Sequence, residues 1–179
     1  MAEPTDADAI PLSLLKREQD RILTELDSIN RRIDAHHGDG VQEAFYSDDR
    51  VLTISVHESG QYLFPGTGFV SEVGMGAGRG YSVNLPLYPY TGDDDYLEAF
   101  SQVVPPLIRA FAPDVLVTQL GIDSYHSDPL THLQVTTAGY IEAVRQLAGL
   151  GLPWLVIFCT GTDDVPISTF AWDSKNLVV

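Results

Sequence analysis

Two segments of the chain carry residues that could bind a metal ion. Asp34 and His36 are separated by one residue, and Asp123 follows the apolar run 115–120. If Asp34 and His36 end a strand, their side chains point to the same side, because strand side chains alternate with a period of two. Two carboxylates and one imidazole suit a catalytic zinc site, in which three protein ligands leave a fourth position for water. The chemistry that this composition implies is hydrolysis.

Short apolar runs and segments with helical spacing alternate along the middle of the chain. The predicted strands are residues 51–56, 83–87, 115–120 and 154–158, and the predicted helices are residues 95–111 and 137–150. This alternation indicates an α/β protein with a parallel sheet. In such sheets ligands bind beyond the carboxyl ends of the strands, which is where we expect the Asp34–His36 pair and Asp123.

The first part of the chain has a different character. Residues 1–11 are small, polar and acidic, which predicts a disordered lead-in. Residues 13–33 have a helical pattern, since Leu15, Ile22 and Ile29 recur every seven residues. Such a helix packs on its own domain or, alternatively, forms a short coiled coil with a second copy.

Length and charge restrict the function classes. A chain of 179 residues with 44% hydrophobic residues is most simply one domain. Its formal net charge of −15 argues against direct binding of nucleic acid and disfavours anionic membranes. A cationic partner would be attracted, although the acidity equally fits a role in solubility or adaptation to salt.

Neither a secretory leader nor a membrane span is visible in the sequence. No positively charged segment followed by an apolar stretch opens the chain, and no run of 18 apolar residues occurs. We therefore expect a cytoplasmic protein. Its one cysteine, Cys159, excludes an intramolecular disulfide and a cysteine-based metal cluster.

Five stretches of the chain occur in an order that resembles the histone deacetylase family, most of all its acetoin-utilisation type. These stretches are residues 34–45, 51–57, 64–68, 74–86 and 119–130. The resemblance implies a three-layer α/β/α, arginase/deacetylase-like fold with a mostly parallel sheet, preceded by the N-terminal helix. It divides the chain into a lead-in and helix (1–31), a partial deacetylase-like domain (32–157) and a divergent tail (158–179).

The function implied by this resemblance is metal-dependent deacylation. Zinc, with iron as the alternative metal, would activate water to remove an acyl group from an acetylated lysine peptide or an acylated small amine. Asp34, His36 and Asp123 match the metal ligands of the family. Asp39 matches a carboxylate that orients a catalytic histidine and sets its basicity.

Further positions carry over by the same motifs. Phe64 matches an aromatic wall of the acyl-lysine tunnel, and Leu130 matches a hydrophobic residue at the tunnel rim. Positions that hold a monovalent cation such as potassium, mostly through backbone carbonyls, are matched by Phe45, Val51, Ser55 and Tyr81.

The other histidines are not expected to do chemistry. His37 follows the ligand histidine and is predicted to pack behind it rather than bind the metal. None of His57, His126 and His132 is predicted to be the catalytic base.

The chain departs from the family pattern at three places. The adjacent histidine pair that acts as general acid and base upstream of the metal motif is replaced by the helical segment, and the glycine-rich stretch ending in tyrosine is replaced by residues 158–164. Arg32 stands where the family carries an aspartate. The resemblance thus predicts a member truncated or rearranged at both ends. Three alternatives remain open for such a member. It is a deacetylase with a full or rebuilt site, or an inactive remnant that binds metal or ligand and uses its N-terminal helix as a contact surface. The third alternative is an unstable fragment.

Overall fold

The computed structural model describes residues 35–159 and 169–172, with side chains described for residues 35–157. The predicted lead-in, the helix at 13–33, Arg32 and the candidate ligand Asp34 lie outside the described residues. Most of the divergent tail lies outside them as well.

Three helices and five strands, with one 3-10 turn, make up the described part. In chain order they are α1 (Asp39–Phe45), β1 (Thr53–Glu58), the turn Gly76–Gly78, β2 (Ser82–Leu87), α2 (Asp93–Phe111), β3 (Leu116–Gly121), α3 (Thr137–Ala148), β4 (Trp154–Cys159) and β5 (Thr169–Trp172). The four predicted strands and two predicted helices are confirmed, with ends shifted by up to two residues. Helix α1 and strand β5 were not predicted.

The strands pair in two groups. β1 pairs in parallel with β2, with Thr53 opposite Ser82, and β3 pairs in parallel with β4, with Leu116 opposite Trp154. The expected α/β class with parallel strands is confirmed. β5 runs antiparallel to β4, so the expectation that residues 154–158 form the last strand was wrong. Residues 160–168, which connect the two, are too few for the crossover of a dozen or more residues that a parallel partner requires.

Helices α2 and α3 cover one face of the strands. Phe100, Val104 and Ile108 lie four residues apart on α2 and form its buried face. They pack with Leu147 of α3 and Trp154 of β4, while partly buried side chains of β1 and β3 complete the cluster.

A polar contact fixes the start of α3. The Thr136 hydroxyl accepts hydrogen bonds from the N–H groups of Ala138 and Gly139 and caps the helix. The Thr136 hydroxyl and N–H in turn donate to the carboxylate of Asp93, the first residue of α2. The segment between β3 and α3, which contains Asp123, is therefore anchored at its end.

Candidate functional site

Asp123 lies two residues beyond the end of β3 and is buried. Its Oδ1 accepts a hydrogen bond of 2.7 Å from the N–H of Ala35, and its Oδ2 lies 3.0 Å from Nδ1 of His36. The structure thus brings together two residues from distant parts of the chain, as predicted. The contact with Ala35 leaves Asp123 with one anchored oxygen and one that faces the imidazole.

The loop that carries Asp123 is closed by its own hydrogen bonds. The Thr131 hydroxyl donates to the backbone oxygen of Asp123. The N–H of Val135 donates to the carbonyl of Ser124, and that of His126 donates to the carbonyl of Val135. The backbone at Asp123 is thus held on both sides, which limits how far its carboxylate can move.

The residues before Ala35 lie outside the described part of the chain, so the strand expected to end at the Asp34–His36 pair stays a prediction. Ala35 and His36 form a bend, and α1 begins three residues later at Asp39. Rather than strand pairing, buried contacts hold this bend: the side chain of Ala35 is fully buried and its carbonyl accepts from the N–H of Glu58.

His36 and Asp123 are donors of the kind that zinc takes. Two ligands at bond lengths of about 2.0–2.2 Å on a tetrahedral zinc lie roughly 3.4 Å apart, close to the 3.0 Å between His36 Nδ1 and Asp123 Oδ2. Within the part of the chain that the structure describes, no group of three His, Cys, Asp or Glu side chains could hold a metal ion. The third ligand of the predicted set, Asp34, lies outside that part. His36 and Asp123 therefore fit a zinc ion, and a catalytic zinc site of three protein ligands needs one more.

Two histidines behind this pair are buried in a polar network. The rings of His37 and His57 lie 4.9 Å apart. His37 Nδ1 is 2.8 Å from the Thr67 hydroxyl, and its Nε2 is 3.2 Å from Oε1 of Gln42. Burial lowers the pKa of His37, more than its neighbours Gln42, Glu72 and Asp39 raise it. His37 is thus a buried, packed histidine next to the candidate ligand His36, in keeping with the prediction.

The contacts of His57 define its protonation. Its Nε2 lies 3.0 Å from the carbonyl of Gly68, which can only accept, so Nε2 carries a proton. Burial and the neighbouring His37 lower the pKa of His57 to about 4. In the neutral ring Nδ1 accepts from the Ser55 hydroxyl at 2.9 Å, and the Ser55 oxygen accepts from the N–H of Gly38. His57 thus supports the backbone next to the His36–His37 pair.

Gln42 and Glu72 connect this network to the strands, and the sequence did not indicate either. Gln42 Oε1 accepts from Ser82 and Asn84 of β2, while its Nε2 donates to Glu72 at 2.7 Å. Burial by itself raises the pKa of Glu72, but hydrogen bonds from Gln42 and from the N–H groups of Phe69 and Gly68 outweigh it, so the pKa is lowered. The sequence did not indicate Gln42 because helix α1, which positions its side chain, was not predicted.

Glu58 is a further residue that the sequence did not single out. It is the last residue of β1 and is 1% exposed. Its two oxygens receive hydrogen bonds from the N–H of His132 at 2.7 Å and from His132 Nδ1 at 2.9 Å. Its own N–H donates to Ala35, so Glu58 joins the bend at His36 to the loop that carries Asp123.

Three further predicted residues are exposed at the surface, although the charge of one of them, Asp39, acts to raise the pKa of His37. Asp39 is exposed at the start of α1, and its Oδ1 accepts from the N–H of Gly40. Phe64 and Leu130 are 68% and 64% exposed, on the loops after β1 and β3. Both loops follow the carboxyl end of a strand, and both side chains are exposed.

Of the four residues assigned to a monovalent cation, Val51 and Tyr81 lie at the start of β1, Ser55 lies inside the strand and Phe45 ends α1. The carbonyl of Phe45 accepts from Asp48, while the carbonyl of Tyr81 accepts from Thr53.

A family model described as the histone deacetylase domain matches residues 32–162. The chain belongs to the histone deacetylase family, as the resemblance implied. This match also covers the bend at His36, the histidine network and the loop that carries Asp123.

Curated relatives and solved structures agree with this membership. The acetoin utilization protein AcuC of Bacillus subtilis (strain 168) is 44% identical over 144 residues, which are 78% of this chain and 37% of that protein. A probable deacetylase of Archaeoglobus fulgidus is 45% identical over 117 residues, or 65% of this chain and 32% of that protein. The chain thus spans about a third of the length of these relatives.

Two solved structures show the same fold over the described part. An acetylpolyamine aminohydrolase from Burkholderia pseudomallei matches with a TM-score of 0.67 and 37% identity, covering 70% of this chain and 36% of that chain. The HD domain of HDA15 matches with a TM-score of 0.68 and 42% identity, covering 72% and 37%. Of the helices among the described residues, none has the length and apolar character needed to cross a bilayer.

Proposed function

We propose that the chain contains the metal-binding part of a zinc-dependent deacetylase that hydrolyses an acylated amine. The observation that supports this best is the pairing of His36 Nδ1 with Asp123 Oδ2 at 3.0 Å, while Ala35 anchors the other oxygen of Asp123. A mixed imidazole and carboxylate set favours zinc or iron over magnesium and calcium, which take oxygen ligands. Asp34, His36 and Asp123 would hold the metal.

Each part of the site has a defined role in this proposal. A bound zinc would supply a water of lowered pKa and polarise the acyl carbonyl. Asp123 and the His57–Ser55 pair keep the backbone beside the metal ligand His36 in place. The exposed side chains of Phe64 and Leu130 would contact the alkyl chain that carries the acyl group. Backbone carbonyls at Phe45, Val51 and Tyr81, with Ser55, would bind potassium in the same proposal.

The substrate class follows from the relatives. A solved relative is named an acetylpolyamine aminohydrolase, and curated relatives are acetoin utilization proteins and a probable deacetylase. Acylated small amines or acetyl-lysine peptides are therefore the substrates that we propose for this chain. Its net charge of −15 favours such cationic molecules over anionic ones.

Elemental analysis of the purified chain beside a fluorogenic acetyl-lysine assay tests the proposal. We expect one zinc per chain, and we expect Asp123→Asn to remove both metal and turnover, because the amide keeps the acceptor for Ala35 but lacks the charge. Asp114→Asn is the matched control, since Asp114 is an exposed aspartate before β3 and should retain wild-type metal content. Equal metal content in the wild type and Asp123→Asn would contradict the proposal.

A second candidate is a family member that binds metal and ligand without turnover. One observation favours it: the Asp39 carboxylate accepts from the N–H of Gly40, and among the described residues no histidine side chain hydrogen-bonds to that carboxylate. The predicted helix at 13–33 would then serve as a contact surface for self-association. Stoichiometric zinc that depends on Asp123, together with binding but no cleavage of an acetyl-lysine peptide, would select this candidate.

A further inference from the structure

A cleft of about 350 Å³ lies at the carboxyl end of β2, beside the loop that leads into α2. It is lined by Pro86, Leu87, Tyr88, Pro89, Tyr90, Thr91 and Asp95. None of these residues belongs to the His36–Asp123 site or to the histidine network. The cleft is therefore distinct from the candidate metal site.

Two tyrosines that line this cleft are largely exposed to solvent. Tyr88 and Tyr90 are 71% and 72% exposed. Tyr90 has φ of 69°, in the left-handed region that a bulky residue rarely adopts. Its N–H donates to the carbonyl of His132 at 2.9 Å, and the Thr91 hydroxyl donates to the carbonyl of Tyr88 at 2.7 Å. Each ring contacts one neighbouring ring, Tyr88 with Tyr62 and Tyr90 with His132, and is otherwise largely exposed. Hydrogen bonds thus stabilise a strained conformation at Tyr90, and such strain concentrates at functional sites.

The lining is suited to a cation with an alkyl chain. Asp95, on the first turn of α2, is exposed and contributes a carboxylate to the cleft. Tyrosine faces attract ammonium groups, and prolines offer an apolar wall to methylene groups. An anionic ligand would meet Asp95 and a chain of net charge −15. Charge and shape therefore select a primary alkylammonium group.

We propose that this cleft binds a free ammonium group of the substrate at a distance from the acyl group that is removed. Tyr90 is bonded to the backbone of His132, which follows Thr131, and Thr131 is bonded to Asp123. The cleft and the candidate metal ligand are thus attached to one loop. The link to catalysis rests on the proposed function, whereas ammonium binding in the cleft does not.

Binding of 1,4-diaminobutane to the full chain, measured by isothermal titration calorimetry, tests this. We expect Asp95→Asn and Tyr90→Asn each to raise the Kd about 2- to 5-fold, since an exposed ion pair and an exposed cation–π contact are each worth up to about 1 kcal/mol. Asparagine tolerates a positive φ, so Tyr90→Asn removes the ring without requiring a new backbone conformation. Asp94→Asn is the matched control, because Asp94 is exposed beside Asp95, does not line the cleft and carries the same charge.

Two results would overturn the proposal. One is equal weakening by Asp94→Asn and Asp95→Asn, which would mean attraction to the overall charge. The other is equal binding of 1,4-butanediol, which has the same chain length without ammonium groups. A parallel titration with Nα-acetyl-lysine amide shows whether a small diamine or a lysine side chain is the better source of the ammonium.

These titrations are made without added metal, and circular dichroism verifies the fold of each variant. A chain without zinc that binds the diamine through Asp95 would contradict the proposed function alone. A chain with zinc and turnover but no Asp95-dependent binding would contradict the cleft alone.

Discussion

At the scale of single residues, Gly68 leaves the space that the two buried histidines occupy. A Cβ on Gly68 would lie 2.4 Å from Nε2 of His57 and 2.6 Å from Cγ of His37, and its φ is +84°. Gly66 has nearly the same φ of +85°, but a Cβ there would meet its nearest atom, the Gly60 carbonyl oxygen, at 3.8 Å. The two glycines share one backbone conformation and differ in the room around them.

Alanine substitutions should separate the cost of the left-handed backbone conformation from the cost of the missing space beside the histidine rings. We expect Gly66→Ala to lower the free energy of unfolding by about 1–2 kcal/mol, the cost of a left-handed residue with a Cβ. Gly68→Ala should lose roughly a further 1–3 kcal/mol, because the imidazole rings must move in a packed interior. Urea denaturation measures both losses. Equal losses would show that the histidine rings shift freely.

At the scale of elements, Glu58 and His132 join two parts of the chain that sheet pairing leaves apart. β1 pairs with β2, whereas β3 pairs with β4 and β5. The Glu58 carboxylate at the end of β1 accepts both the N–H and the Nδ1–H of His132, which follows β3 in the chain. Glu58 is buried and supplies both acceptor atoms, whereas the His132 side chain is half exposed and supplies only one of the two donors.

Removing either partner should therefore have unequal effects. We expect Glu58→Ala to lower the free energy of unfolding by about 3 kcal/mol, because it deletes a buried side chain and leaves the His132 N–H without its acceptor. His132→Ala should cost about 1 kcal/mol, because the carboxylate keeps that backbone donor. The double variant should lose less than the sum, with a coupling of about 1 kcal/mol by urea denaturation.

The exposed pair of Glu142 and Arg145 on α3 is the control for this cycle. Its atoms lie 3.5 Å apart at the surface, and such pairs couple by less than about 1 kcal/mol. Coupling between Glu58 and His132 no larger than that of the control pair would contradict the role given to the buried carboxylate.

At the scale of the whole molecule, two buried imidazoles couple folding to pH. Burial lowers the pKa of both His37 and His57 in the folded state, that of His57 from 6.5 to about 4. The unfolded chain therefore binds more protons than the folded one between these values. Stability is fully present above pH 6.5 and decreases as the pH falls toward 4.

The expected loss is large enough to measure. His57 alone should contribute a slope of about 1.4 kcal/mol per pH unit across this window. Urea midpoints between pH 4.5 and 7 give the slope, and NMR titration of the His57 ring gives its pKa directly. A His57 pKa near 6.5 would contradict the expectation that burial keeps this ring neutral.

Much of the fold was predictable from local pattern. Apolar runs such as residues 115–120 and helical spacing such as residues 95–111 reflect burial of one face, a property of neighbouring residues. Helix α1 escaped prediction because none of its residues is buried and no side chain caps it. β5 escaped because its pairing depends on β4 rather than on a clear apolar pattern.

The sequence by itself determined the family, the α/β class and the residue types that could hold a metal, because these depend on local composition and on the order of motifs. Only the tertiary structure decided that one oxygen of Asp123 is anchored by Ala35 while the other faces His36. It also decided the roles of Gln42, Glu58 and the cleft at Tyr90. These depend on contacts between residues distant in the chain, and such contacts exist only once burial of the apolar strands and helices has brought the segments together.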